Sequence, residues 1–273
     1  MKSIIVQHIE DYNKEHPEFT YKNSLSVSKC IEFLKEEFDA DVVAANMVEK
    51  YYNQEGHKYY HMSADDILAL WEDKRSKAIE KGKLFDSYVE QILEIQNPQQ
   101  FQKWKIIEDI DNNSFMQTAI LGFKNIIKFF KDTGYDTVIG TEIPLWIKHN
   151  EFIINGRCDC LLYNSKTKSY LVIDWKTNEE IKMSGFKKMK GPLKFISECE
   201  YHSYLTQVFF YKKALCETYK LADFDHIDVV ICQMGYKDEP YYRIYKPGDS
   251  AYMFDTDLMN NIIRYCWAVK SYM

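Results

Sequence analysis

The sequence predicts an α/β protein: a mixed central β-sheet flanked by helices, preceded by an N-terminal helical annex. Three observations predict it. Apolar residues recur at helical spacing up to about residue 133, the period drops to two after Gly134, and the strand-like stretches that follow are interrupted by one helix and closed by another.

The elements follow in order. Leu25-Ser-Val-Ser-Lys-Cys-Ile-Glu-Phe-Leu opens with hydroxyl residues suited to capping and continues with apolar residues at helical spacing. Ser63-Ala-Asp-Asp66 resembles a capping box for a helix through Leu68, Leu70 and Trp71. That helix, or a successor, continues through Lys81-Gly82-Lys-Leu-Phe-Asp86-Ser-Tyr-Val-Glu90. A further amphipathic helix carries Phe115, Ala119, Ile120, Phe123, Ile126, Ile127 and Phe130, and stops at Gly134. Strands are expected over 137–148, 151–163 and 169–176, the last two joined by the turn Asn164-Ser-Lys-Thr-Lys. A basic loop, a helix over 201–219, strands over 226–233 and 240–245, and a last helix opening at Asp255 or Thr256 complete the chain. There is no repeat, low-complexity tract or Pro/Ser-rich linker, so one compact unit is expected. Within it, residues 1–133 form the annex and 134–273 the core.

Composition narrows the function classes. At 273 residues, 46% hydrophobic and 28% charged, the chain is that of an ordinary globular protein. A net charge of −6 argues against a protein that coats DNA, but not against an enzyme whose own carboxylates offset a local basic surface. The odd number of cysteines, seven, and the lack of a secretory signal argue for reduced thiols, and the absence of a C-x-x-C pair argues against a zinc knuckle and an iron–sulfur cluster. Strand periodicity places Cys158 and Cys160 on one face. No apolar run approaches the roughly 20 residues of a membrane helix, and Met1-Lys-Ser-Ile-Ile-Val is too short for a signal peptide. A soluble cytoplasmic or otherwise intracellular protein is expected, with Asn, Lys, Ile and Tyr usage in keeping with an AT-rich viral, phage or bacterial genome. No Walker loop, dinucleotide glycine motif, G-x-S-x-G elbow, H-x-H or H-E-x-x-H occurs.

The chemistry concentrates in Gly156-Arg-Cys-Asp159 and Asp174-Trp-Lys176. Residues i and i+2 of a strand share a face, so Asp174 and Lys176 point together while Trp175 faces the core. A tight turn lets the preceding strand lay Asp159 beside Asp174. Two carboxylates so placed repel one another unless a cation neutralises them, and hard oxygen donors select Mg²⁺ or Mn²⁺. A neighbouring lysine can position and deprotonate a water or stabilise charge on a phosphate. Taken alone, Asp174 and Lys176 are better explained as a strand-end ion pair near the surface.

The whole pattern resembles the RecB-like branch of the PD-(D/E)XK nucleases. Gly156-Arg-Cys-Asp159 matches its G-x-x-D strand, and Val172-Ile-Asp174-Trp-Lys176-Thr177 its h-h-D-x-K-T strand. Gln207-Val-Phe-Phe-Tyr211 matches its Q-x-x-x-Y helix, and Glu142 the acidic position on the first core strand. Gly82-Lys-Leu-Phe-Asp86-Ser-Tyr-Val-Glu90 matches the G-x-x-x-H-x-x-x-E helix, with Asp86 in place of the usual histidine. The resemblance spans about Leu25 to Tyr219. It implies a restriction-endonuclease-like fold and a deoxyribonuclease, typically an exonuclease on single-stranded or frayed DNA ends in replication, repair or recombination. Asp159, Asp174 and the Trp175 carbonyl would hold Mg²⁺ or Mn²⁺, and Lys176 would be the catalytic lysine. Gln207 and Tyr211 would brace the site or touch the DNA backbone. Asp86 would be a further, harder metal ligand, or else a solvent-facing helix residue. The four-cysteine cluster of some relatives has no counterpart, so no iron–sulfur cluster is carried over. A helicase or recombinase partner is compatible with the branch.

Lys182, Lys187, Lys188, Lys190 and Lys194 follow the catalytic strand and read as a phosphate-contacting lip, the alternative being a solvated loop. Phe186 and Phe195 in this loop could stack on bases, but anchoring the loop to the core is the expectation. His202 is expected to be structural or phosphate-contacting. An endonuclease, an RNA-cleaving enzyme and a catalytically silent nucleic-acid-binding subunit are the rival readings.

Overall fold

The computed structural model describes residues 3–94, 114–248 and 254–272. Six strands make one mixed sheet: β1 (Leu25–Ser26), β2 (Thr137–His149), β3 (Phe152–Asn164), β4 (Ser169–Lys176), β5 (Ile227–Met234) and β6 (Tyr242–Tyr245). The described helices are α1 (Ile4–Glu15), α2 (Val27–Phe33), α3 (Ala40–Tyr51), α4 (Ala64–Glu94), α5 (Ser114–Asp132), α6 (Glu200–Lys213) and α7 (Thr256–Tyr272).

Local chemistry sets these boundaries. Ser63 and Asp66 cap α4 reciprocally: Asp66 N–H donates to Ser63 Oγ at 3.2 Å, and Ser63 N–H to Asp66 Oδ2 at 2.9 Å. From there the helix runs unbroken for 31 residues, through Gly82 and Asp86. Helix α5 ends in a Schellman motif in which Gly134 takes φ +100°, its N–H donates to Lys131 O, and Tyr135 N–H donates to Phe130 O. The β2–β3 hairpin turns at Asn150, φ +56°, a conformation asparagine tolerates better than most residues. The β3–β4 turn is held by Asn164 Oδ1, which accepts the N–H groups of Lys166 and Thr167. After Lys213 the expected helix over 201–219 widens into a π-helical turn at Ala214–Thr218.

β3 lies at the middle of the topology. One edge pairs antiparallel with β2 along its whole length. The other edge is shared: β1 pairs in parallel at Ile154 and Asn155, and β4 antiparallel from Cys160 to Asn164. Residues 156–159 therefore lack a ladder partner on that edge. β4 continues in parallel to β5 after a crossover through α6, and β6 closes the sheet antiparallel to β5. Connections of this length are what a parallel pair requires.

The two faces carry separate cores. Ile9, Val27, Cys30 and Ile31 of α1 and α2 pack with Leu205 and Val208 of α6 and Ile262 of α7 on one face. Phe85 and Val89 of α4 with Met116, Phe123 and Ile126 of α5 cover the other, against Leu171, Ile173 and Trp175. Burying each of these side chains contributes about 1.5–3 kcal/mol. The layering is helix, sheet, helix, and the shared edge of β3 lies under α6.

Candidate active site

Asp174 and Lys176 project from the end of β4 toward α6, while Trp175 points to the α4–α5 face and meets Phe123 edge-on at 5.7 Å. Asp174 is fully buried, and Lys176 Nζ lies 2.6 Å from its Oδ2. The contact has the distance of an ion pair without the direction of a good hydrogen bond, and Oδ1 has no donor at all. A buried carboxylate left so poorly satisfied is costly, and such groups ordinarily serve a ligand.

Asp159 joins them from the unpaired stretch of β3. Its Oδ2 accepts the Trp175 N–H at 2.8 Å, taking the place of the ladder bond that β3 does not supply there. Cys158 packs in the α6-side core and Cys160 in the α4–α5-side core. The expectation that both share a face is thus corrected: the two-residue alternation breaks between them, at Asp159, which frees that side chain to reach the end of β4. Both carboxyls are pushed above the usual carboxylate range, Asp159 by burial and then by the charge of Asp174, and Asp174 by burial. Burial alone would lower the Lys176 ammonium, but Asp174 and Asp159 outweigh it and hold Lys176 protonated.

α6 supplies the roof. Gln207 Oε1 lies 3.5 Å from Lys176 Nζ, a long contact, and Gln207 Nε2 donates to Tyr211 Oη at 2.9 Å. Gly156 makes this approach possible, because a Cβ there would fall 2.6 Å from Tyr211 Cε1 and 2.9 Å from Val27 Cγ2. The glycine of the strand motif is therefore a packing requirement. Beside it a cleft of about 350 Å³ opens, lined by Tyr21, Ser26, Asn155, Arg157, Gln207 and Tyr211 among others.

Two more carboxylates face this centre. Asp86 on α4 is half-buried, and its pKa rises to about 6 through burial and the charge of Glu142, with Asp174 and Glu90 adding and Lys176 opposing. Helix α4 passes the end of β4 closely: a Cβ on Gly82, one turn before Asp86, would sit 3.6 Å from Thr177 Oγ1. Glu142 lies between the pairs Thr141↔Cys160 and Ile143↔Cys158, hence across from Asp159, and takes φ +49°. Burial raises its pKa against the opposing effect of Arg157, whose guanidinium is 3.3 Å away.

Neither a family model nor a curated protein matches the chain. Among the described residues no three His, Cys, Asp or Glu side chains are already gathered into a cation-holding group. What is present is a fully buried Asp174 with an orphaned oxygen, a half-buried Asp159 that shares its charge, and two further carboxylates that feel it. That suits a hard divalent cation such as Mg²⁺, which is held by one or two carboxylates and keeps several waters.

Several residues of the site escaped the sequence reading. Tyr204 lies with its ring 4.5 Å from Lys176 Nζ, and its hydroxyl accepts from Asn178 Nδ2 at 3.0 Å. Gln233 on β5 is buried and donates to the carbonyls of Asn178 and Glu179, fixing the chain as it leaves β4. Arg157, inside the strand motif, pairs with Glu142. Tyr204, one turn before Gln207, carried a weak signal; Gln233 carried none.

The basic loop divides. Lys187 and Lys188 are exposed, whereas Lys190 is half-buried, donates its N–H to Leu34 O at 2.7 Å and sits 3.5 Å from Glu36. The loop is anchored by Ile181, Met189, Leu193 and Ile196, all buried. Phe186 and Phe195 do not anchor it: both are exposed, because the aliphatic residues already fill the space beneath. His202 is structural, with Nδ1 2.7 Å from Ser197 O and 3.2 Å from Cys199 Sγ.

Proposed function

We propose that the chain is a Mg²⁺- or Mn²⁺-dependent deoxyribonuclease of restriction-endonuclease-like fold and RecB-like type. The observation that carries this reading is the buried, under-satisfied Asp174 beside Asp159, with Lys176 at its open side. A structural ion pair would be expected to satisfy both carboxylate oxygens.

Asp159 and Asp174, with the Trp175 carbonyl and Asp86, would be the donors for the cation. When bound it would supply Lewis-acid polarisation of a phosphoryl oxygen and a more acidic water. The remaining roles belong to the chain. Lys176, held as an ammonium between Asp174, Gln207 and the Tyr204 ring, suits stabilising charge on the phosphate better than abstracting a proton. Gln207 and Tyr211 hold that ammonium in place and form one wall of the cleft through which a strand can approach. Asp86 and Glu142 tune the charge of the centre, since both favour the neutral form more than ordinary carboxyls do.

Single-stranded or frayed DNA ends are the favoured substrate, with replication, repair or recombination as the setting and a helicase or recombinase as a fitting partner. Linear and circular single-stranded DNA incubated with the protein and Mg²⁺ or Mn²⁺ test this. Loss of the linear form with the circle intact is expected. Cutting of the circle would make the enzyme an endonuclease, and no cutting of either would remove the nuclease reading.

A further inference from the structure

The loop over 177–199 is an ordered finger that displays an aromatic ring to solvent. Its two arms are tied by Met189 N–H to Ile196 O at 3.1 Å, Glu198 N–H to Lys187 O at 2.8 Å, and a bridge between Lys188 and Ser197. Gly185 is packed so tightly that a Cβ there would fall 1.9 Å from Glu198 O. On this frame Phe186 is fully exposed (110%), with Met183 and Phe195 about half exposed. A phenylalanine ring held wholly in water on a tethered loop contributes nothing to the core.

The charge around the ring says what binds. The loop holds five lysines against three glutamates in a chain of net charge −6. Lys182, Lys187, Lys188 and Lys194 have no ion-pair partner among the described residues. Lys188 Nζ makes one long hydrogen bond, to Phe195 O at 3.5 Å, and its charge too is left unneutralised. Exposed aromatic rings interleaved with ammonium groups that no carboxylate neutralises match bases and phosphates of an unpaired strand, since every base offers a π-face and every linkage a charge. A protein partner would call for a larger contiguous apolar area, and a duplex presents no free base face.

We propose that Phe186, flanked by Lys187 and Lys188, is a stacking finger that selects unpaired nucleic acid and leads it to the end of β4. The proposal rests on the nuclease reading for its purpose and not for its chemistry. The loop leaves β4 directly after Lys176 and returns at Glu200, the first residue of α6, so both its ends adjoin the elements that carry Lys176 and Gln207. Hydrogen bonding has already fixed the finger, so little ordering is required on binding.

Fluorescence anisotropy on the full chain in EDTA, where no metal-dependent cleavage can occur, tests it with two labelled probes: an oligothymidylate and an abasic strand of equal length. Phe186→Ala is expected to bind the oligothymidylate roughly tenfold more weakly, the loss of about one base stack. It should bind the abasic strand as the unaltered protein does, and Phe186→Trp should restore the first affinity. Unchanged binding by Phe186→Ala, equal loss on both probes, or no oligothymidylate binding by the unaltered protein overturns the proposal. A thermal melt confirms that the variants fold. Base-dependent binding with no cleavage in Mg²⁺ or Mn²⁺ would sink the nuclease reading and leave the finger standing. Cleavage with an unaffected Phe186→Ala variant would do the reverse.

Discussion

Gly156 of β3 lies directly against the Tyr211 ring of α6, so close that a methyl group at 156 would overlap Cε1 at 2.6 Å. Gly156→Ala is therefore expected to push α6 outward, despite alanine's better strand entropy. The overpacking should cost about 1–3 kcal/mol in urea denaturation and disturb the Gln207–Tyr211 hydrogen bond. A variant as stable as the parent, with unchanged cleavage, would show that the approach is not needed.

Tyr211→Phe isolates the bond itself. The ring keeps its packing, but Gln207 Nε2 loses its acceptor, and Gln207 is then free to turn away from Lys176. Stability should fall by about 1 kcal/mol. Cleavage should slow through kcat with KM little changed, because the loss acts through the placement of Lys176. A KM effect alone would assign Tyr211 to DNA contact.

Asp86 offers a test by pH. Its pKa of about 6 in the folded chain lies above the ordinary 3.8, so the native state retains a proton that the unfolded chain releases. The stability this supplies is complete below about pH 4 and is lost as pH rises through about 6. Asp86→Asn cannot ionise. Without metal it should melt higher than the parent at neutral pH, and the gap should close at about pH 4. Calorimetric titration with Mn²⁺ should show weaker binding by the same variant. Equal melting at both pH values would place Asp86 in open solvent.

Glu142 stores backbone strain. A non-glycine residue at φ +49° costs roughly 1–2 kcal/mol, and here it aims a carboxyl at the centre. Glu142→Gly should therefore be more stable than Glu142→Ala by about 1 kcal/mol. Both should weaken Mn²⁺ binding if this carboxyl contributes to the charge of the site. Alanine equal to glycine in chemical denaturation would contradict the strain.

Much of this arrangement could be read locally. The drop in period after Gly134 located the sheet, Ser63 and Asp66 located the start of α4, and the two-residue spacing of Asp174 and Lys176 put them on one face. What escaped depends on distant partners. Ser26 does cap α2, accepting the Lys29 N–H at 3.1 Å as its sequence suggests, but Leu25 and Ser26 also form the two-residue β1, which exists only because Ile154 and Asn155 pair with it. The break in alternation at Asp159 arises where β1 leaves off and β4 has not yet begun, which no local pattern records. The exposure of Phe186 was missed because the loop could be anchored equally well by Met189, Leu193 and Ile196, and the sequence does not rank them.

The central claim is that Asp159, Asp174 and Lys176 form one catalytic centre on a phosphodiester. Single-turnover cleavage of a labelled single-stranded oligonucleotide in Mn²⁺ tests it most directly, comparing the unaltered chain with Asp174→Asn and Lys176→Ala. Circular dichroism would establish that each variant is folded. Cleavage by the unaltered chain is expected, with a loss of at least about a hundredfold in both variants, the scale of removing one preorganised charge-stabilising group. Folded variants that cut at the parent rate, or a parent that cuts nothing in either Mg²⁺ or Mn²⁺, would contradict it.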